Sequence, residues 1–122
     1  MEAASNGRIR VAVLLGGNLY ASNPDLAWAG QAMRRIGTTA HLTTKLNPGH
    51  IHGRGRFNMV LPVLARDEEP QSTTQESMFN YVRLSDGGAA RHEGPRSEVE
   101  IVADLAERVL GPRPGQIGRA HV

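Results

Sequence analysis

Gly16-Gly17-Asn18 ends an uninterrupted aliphatic run, Val11-Ala12-Val13-Leu14-Leu15. Two glycines permit a sharp turn there, and an asparagine tolerates left-handed backbone angles better than most residues. In open α/β sheets ligands gather at the carboxyl ends of strands, so this turn is a candidate ligand-facing edge. Thr44, Lys45 and Asn47 are expected to emerge beside it, at the end of a second strand. The other chemistry-bearing residues form weaker patterns. His50-x-His52, with His41 and His92 elsewhere, suggests a metal pair, but zinc takes three or four ligands and no cysteine or nearby carboxylate completes a set. No metal site is expected, and the two imidazoles read as decoration of a polar loop. Ser, His and Asp are present without a G-x-S-x-G elbow, and Asp67-Glu68-Glu69 reads as a solvated acidic patch. No set of residues forms a complete catalytic site.

The elements that would hold the turn follow from the pattern of residue types. Five aliphatic residues in a row read as a strand buried on both faces. Asn23-Pro24-Asp25 starts a helix, with Asn23 as N-cap and Pro24 at the first helical position. Leu26, Ala29, Gly30, Met33 and Ile36 form its apolar stripe, and Gly37 stands where a left-handed C-terminal cap belongs. Thr38–Thr44 is the second strand, parallel to the first by the right-handed crossover rule. A loop over 48–56, with at most a short helical turn, leads to a third strand, Met59–Leu64, which bends or ends near Pro62. Residues 66–77 read as an exposed polar loop, and Met78–Leu84 as a short extended segment before the Asp86-Gly87-Gly88 turn. Ser97-Glu98-Val99-Glu100 has the capping-box spacing, and Ile101, Val102, Leu105, Ala106, Val109 and Leu110 form a wide apolar stripe stopped by Gly111-Pro112. The expected fold class is α/β: a Rossmann-like, three-layer half-domain with a mainly parallel sheet of three or four strands and two principal helices. It would occupy residues 1–111, with 112–122 a flexible tail.

Composition narrows the function classes. A chain of 122 residues holds one core. No cysteine is present, which excludes a disulfide, a thiolate nucleophile or a cysteine-ligated cluster within this chain. No secretory pattern opens the sequence and no apolar stretch approaches a membrane span, so a cytoplasmic location and no membrane partner are expected. The net charge is +2, with thirteen arginines and one lysine scattered among twelve carboxylates and five aromatic residues in all. That scatter lacks the basic groove and stacking platforms of a nucleic-acid binder. A conventional nicotinamide site is also excluded in detail: the turn lacks G-x-G-x-x-G, and the second strand ends in Thr43-Thr44 rather than an acid.

The order of these pieces nonetheless resembles a known family. Gly16-Gly17-Asn18 closing a strand, a Pro-Asp-initiated helix, His41-Leu42-Thr43-Thr44-Lys45-Leu46-Asn47, Met59-Val60-Leu61-Pro62 and the Arg96-Ser97-Glu98-Val99 helix start are similar to the molybdopterin-dependent oxidoreductases of the dimethyl sulfoxide reductase superfamily, in the formate-dehydrogenase-like α-subunit branch. The resemblance covers about residues 2–111. It implies that the chain is a fragment: part of a domain holding one guanosine arm of a bis-molybdopterin guanine dinucleotide cofactor. By the same resemblance Gly16, Gly17, Asn18, Thr44 and Lys45 face the nucleotide, with Asn18 and Thr44 orienting the nucleoside and Lys45 directed toward the pyrophosphate. The residues read alone equally allow Asn18 to cap a turn, Thr44 to cap a short helix and Lys45 to be solvated. Asn58 stands where many members of the family carry an acidic residue. The metal-binding residue, the second cofactor arm and the electron relay of that family have no counterpart in these residues. The expectation is therefore a partial cofactor-binding domain with no catalytic residue of its own, partnered by the remaining portion of a split molybdoenzyme or by further copies of itself. The alternative is a non-catalytic nucleotide-binding or protein-interaction module.

Overall fold

A computed structural model describes residues 1–77 and 80–111; the tail expected at 112–122 lies outside the described residues. The element order is α1 (Glu2–Ser5), β1 (Val11–Leu15), α2 (Leu26–Met33), β2 (Thr38–Thr43), α3 (Gly49–His52), β3 (Phe57–Pro62), a 3-10 turn (Arg66–Glu68), β4 (Thr73–Ser77), β5 (Tyr81–Ser85) and α4 (Glu98–Leu110). The three strands β1-β2-β3 form a parallel sheet, which makes the chain an α/β protein compatible with a Rossmann-like half-domain. Thr38 aligns with Val11 on one side and Phe57 on the other, and the register holds to Leu15↔Leu42↔Leu61.

Helix α2 begins two residues later than its sequence suggests. Asp25, not Asn23, is the N-cap, its carboxylate accepting from the Trp28 amide at 2.8 Å. The helix also ends early, at Met33, with Arg34 as C-cap. Gly37 is therefore no helix cap; its amide donates to Ile9 O at 3.3 Å and leads into β2. Of the expected apolar stripe, Ala29, Gly30, Met33 and Ile36 are buried but Leu26 is exposed; Met33 and Ile36 form the core with Ala32 and with Ala4 of α1, and Ala12 and Leu14 of β1 pack onto it. Arg35 ties α1 to α2 by donating to Ser5 O at 2.7 Å.

Alternation along β1 corrects the expectation of a strand buried on both faces. Ala12 and Leu14 turn toward the helices, whereas Val11, Val13 and Leu15 are exposed. Only β2, flanked on both sides, is buried along most of its length. Strand β3 runs Phe57–Pro62, starting two residues before the expected Met59, and beyond Pro62 the Val63 amide still donates to Thr43 O at 3.2 Å.

The polar segment expected as a loop contains the strand β4, paired antiparallel with β5 from Thr73↔Ser85 to Ser77↔Tyr81. Cross-strand pairing with Val82 and Leu84 supplies what its own polar composition lacks. The acidic run is not a solvated patch either. Glu68 accepts from the amides of Ala65 and Arg91, which holds its carboxyl below the usual range, and Glu69 is buried with Gln71 donating to it. Arg91 also bonds Asp67. Helix α4 has the expected bounds, with Ser97 as N-cap, but no capping bond forms and the Ser97 hydroxyl is buried with no partner among the described residues. Its apolar stripe is exposed at Val102, Leu105 and Val109. No described helix is long and apolar enough to cross a membrane.

Burial separates two large apolar residues of the sheet. Leu42 is 1% exposed and Phe57 73%. Leu42→Ala is expected to cost about 2–5 kcal/mol in denaturant unfolding, and Phe57→Ala less than about 0.5 kcal/mol.

Candidate functional site

The carboxyl ends of β1 and β2 lie side by side, because Gly16 N donates to Leu42 O at 2.8 Å and prolongs the parallel ladder by one residue. Gly16 and Gly17 then take φ of 58° and 64°, the left-handed region open to glycine, and turn the chain away from the sheet. A methyl group at either position would meet open space. The exposed backbone here is thus free to meet a ligand. Among the described residues, the amides of Gly17, Asn18 and Leu19 donate to no protein acceptor.

Asn18 is fixed by its surroundings. Its Oδ1 accepts from the Ala21 amide at 3.0 Å, and Gly49 presses against that side chain so closely that a Cβ there would fall on Oδ1. Asn47 completes the clamp: its Nδ2 donates to Gly17 O at 3.3 Å, and its Oδ1 accepts from Gly49 N at 2.9 Å. Helix α3 thereby holds the glycine turn from the second strand's side.

Beneath the turn lies a cavity of about 10 Å³, bounded by Gly16, Gly17, Asn18, His41, Asn47 and His50 among others. It has room for one water-sized group. His41 is 5% exposed and its Nε2 is buried with no partner among the described residues. The ring of His50 stands edge-on to it, with centroids 4.9 Å apart, and His50 Nδ1 accepts from Asn47 N at 3.0 Å. Burial, then the neighbouring His50, lowers the His41 pKa, against a smaller opposing effect of the Asn58 side chain. Asn58 Oδ1 accepts from Thr39 Oγ1 at 2.7 Å while its Nδ2 donates to His50 O at 3.3 Å. No group of three or more metal-ligating side chains occurs among the described residues.

Of the residues singled out in the sequence, Gly16, Gly17 and Asn18 come together at this cavity. Thr44 and Lys45 follow β2 on exposed backbone and do not line it; Thr43 rather than Thr44 makes the local turn, donating to Lys45 O at 2.9 Å. His50, expected on a polar loop, is buried; His52 is exposed, its ring 5.9 Å from that of Tyr20. Sequence reasoning missed His41, Asn47 and His50 as a unit. Its signal was the alternation of β2, where Thr39, His41 and Thr43 share the helix-facing side.

Two substitutions probe this construction. Gly49→Ala is expected to displace Asn18 and to cost about 1–3 kcal/mol, read by chemical unfolding. For His41 the folded pKa lies below the unfolded value of 6.5. As pH falls through 6.5 the unfolded chain takes up a proton that the folded chain resists, so stability drops and levels off once the folded value is passed. His41→Gln is expected to flatten that part of the stability profile relative to wild type.

Comparison with known proteins bears on this site only at the level of the whole chain. No family model matches, and no solved structure matches. A protein named uncharacterized oxidoreductase from Mycobacterium tuberculosis is 33% identical over 119 residues, and its Mycobacterium bovis counterpart equally so. In both, the alignment covers 92% of this chain and 15% of the relative. The protein named YdeP of Escherichia coli is 29% identical over 118 residues, covering 90% of this chain and 15% of that protein. The chain spans about 15% of the length of the curated relatives it matches. It is thus similar, nearly end to end, to one short segment of much longer proteins, some of them named oxidoreductases.

Proposed function

We propose that this chain supplies one nucleotide-facing edge of the cofactor domain of a larger oxidoreductase, molybdopterin-dependent and formate-dehydrogenase-like, and that it does not turn over substrate alone. The observation that carries the reading is the Gly16-Gly17-Asn18 turn at the carboxyl end of a parallel strand, with unengaged amides at Gly17, Asn18 and Leu19. Such a row of donors suits a phosphate or ribose oxygen. The printed names of the mycobacterial relatives agree with the oxidoreductase part of the reading.

The residues present fit one arm of molybdopterin guanine dinucleotide in a limited sense. The open space above Gly16 and Gly17 admits an oxygen to the backbone, whereas the cavity beneath is too small for a base. A nucleotide would therefore lie across the strand ends rather than sink between them. When bound, the group would supply two-electron redox chemistry at its metal. The part of this chain is to bind and orient. The amides of Gly17, Asn18 and Leu19 would donate to the nucleotide, Asn47 and Gly49 would hold the turn in place, and Thr44 and Lys45 would reach it from the exposed end of β2, Lys45 as a cation.

Titration calorimetry with guanosine diphosphate tests the reading. Wild type is expected to bind weakly, and Gly17→Val, which fills the cradle with a branched side chain, to weaken binding at least tenfold. Circular dichroism of Gly17→Val checks that the fold persists. Equal binding by both proteins, or none by wild type at millimolar nucleotide, would overturn the assignment.

A further inference from the structure

His41 lies within β2, is buried, and borders the small cavity under the glycine turn. One atom of its ring, Nε2, is buried with no partner among the described residues. Buried polar atoms are ordinarily hydrogen-bonded, to protein or to water, so this nitrogen calls for a partner. The proton on the ring decides which kind. Asn58 has a fixed orientation: its Nδ2 donates to the His50 carbonyl and its Oδ1 accepts from Thr39. Its side chain acts on His41 as an acceptor, favouring a protonated ring, and since Nε2 is unpartnered the nitrogen it engages is Nδ1. Burial and then the neighbouring His50 outweigh that effect and oppose a second proton, so the ring is neutral at neutral pH. A neutral imidazole has one N–H and one bare nitrogen. With the proton on Nδ1, Nε2 is a lone pair that can only accept.

The neighbouring side chains do not supply the donor. His50 stands edge-on with ring centroids 4.9 Å apart, its Nδ1 accepts from the Asn47 amide, and no bond joins the two rings. The side chain of Asn47 is spent on Gly17 O and Gly49 N. A zinc ion, which takes three or four ligands, would find one free lone pair and no carboxylate among the described residues that border the cavity. Gly17, Asn18 and Leu19 also border it, and their amides donate to no protein acceptor among the described residues. The cavity therefore brings a buried acceptor and a set of unengaged donors to one place. A hydroxyl oxygen both donates and accepts, so a single O–H group satisfies both sides. A volume of about 10 Å³ holds one such group.

We propose that this cavity is a site for one neutral O–H group, which donates to His41 Nε2 and accepts from an amide of the glycine turn. In the free chain the group is a water molecule. With a ligand seated on the turn it is either the same water or a hydroxyl of the ligand. A fully ionised phosphate oxygen has no proton to give and is excluded from this position by the lone pair of His41. His41 is then a positioning residue: it selects which part of a ligand lies lowest over the turn. The water site is independent of nucleotide binding, and only the ligand hydroxyl as a source rests on the reading of the turn as a nucleotide-facing edge.

Nuclear magnetic resonance of the nitrogen-labelled chain at neutral pH tests the proposal. His41 is expected to show a protonated Nδ1 and a bare Nε2. Magnetisation is expected to pass from a long-lived water to at least one amide of Gly17, Asn18 or Leu19. His41→Leu, which cannot accept, is expected to lose that transfer, and His41→Gln, whose amide oxygen can accept, to keep it. Circular dichroism checks that each variant is folded; if His41→Leu is not, the wild-type spectra decide alone. A protonated Nε2 in wild type, no transfer from water, or a transfer that survives in folded His41→Leu would each sink the idea. Guanosine diphosphate and its analogue lacking both ribose hydroxyls separate the two sources. Loss of the water signal with the first nucleotide alone identifies the ligand hydroxyl, and persistence with both identifies water. Loss with both would count against the proposal, since a group other than a hydroxyl would then fill the cavity. Binding of neither nucleotide would remove the nucleotide reading and leave the water site standing.

Discussion

Strand β2 is hydrogen-bonded on both sides, and its two parallel ladders position every other feature of the molecule. They bring Leu15 level with Leu42 and Leu61, with Gly16 N donating to Leu42 O and Val63 N to Thr43 O, so that three strand ends share one edge. Because parallel strands cannot be joined by a tight turn, the chain must cross over twice, and the first crossover supplies α2, which builds the core together with α1. The polar residues of β2 are part of the same arrangement. Thr39, fully buried, accepts from Gly55 N at 3.0 Å and donates to Asn58, fixing where the chain enters β3.

The glycine turn is held by a relay of short-range contacts rather than by a dedicated loop. Asn58 reaches the carbonyl of His50; His50 accepts from the Asn47 amide; Asn47 reaches Gly17; and Gly49 sits against Asn18. The Asn47–Gly17 and Gly49–Asn18 contacts join the segment after β2 to the turn after β1, so that turn takes its position from the loop and four-residue helix that follow β2. A loop of this kind has little freedom to adjust when one member changes.

Much of this was legible in the residues. The first strand and its glycine turn, the parallel second strand, the end of the third at Pro62 and the bounds of the last helix all follow from local pattern. What was hidden depended on partners distant in sequence. Five aliphatic residues in β1 describe a strand buried on both faces, yet only the face of Ala12 and Leu14 finds helices within this chain. The polar run containing Thr73–Ser77 becomes a strand only through pairing with β5. Asp25 and Asn23 are both good helix caps by type, and only the geometry of the turn before α2 selects between them. At the site, Gly16, Gly17 and Asn18 were readable because backbone freedom is written in residue type. The His41–His50 contact was not, since it joins a strand to a helix through packing alone.

The long excursion after β3 has a consequence of a different kind. The chain leaves the sheet at Val63 and returns at Arg96, where these two residues form a parallel bridge and Leu64 N donates to Arg96 O at 3.1 Å. The hairpin and the Glu68–Arg91 contacts between them are closed off at their base, with their bonds made largely among themselves. The excursion is in this sense a cassette: a change of length within it would leave the bonds of the sheet and of the glycine turn as they are.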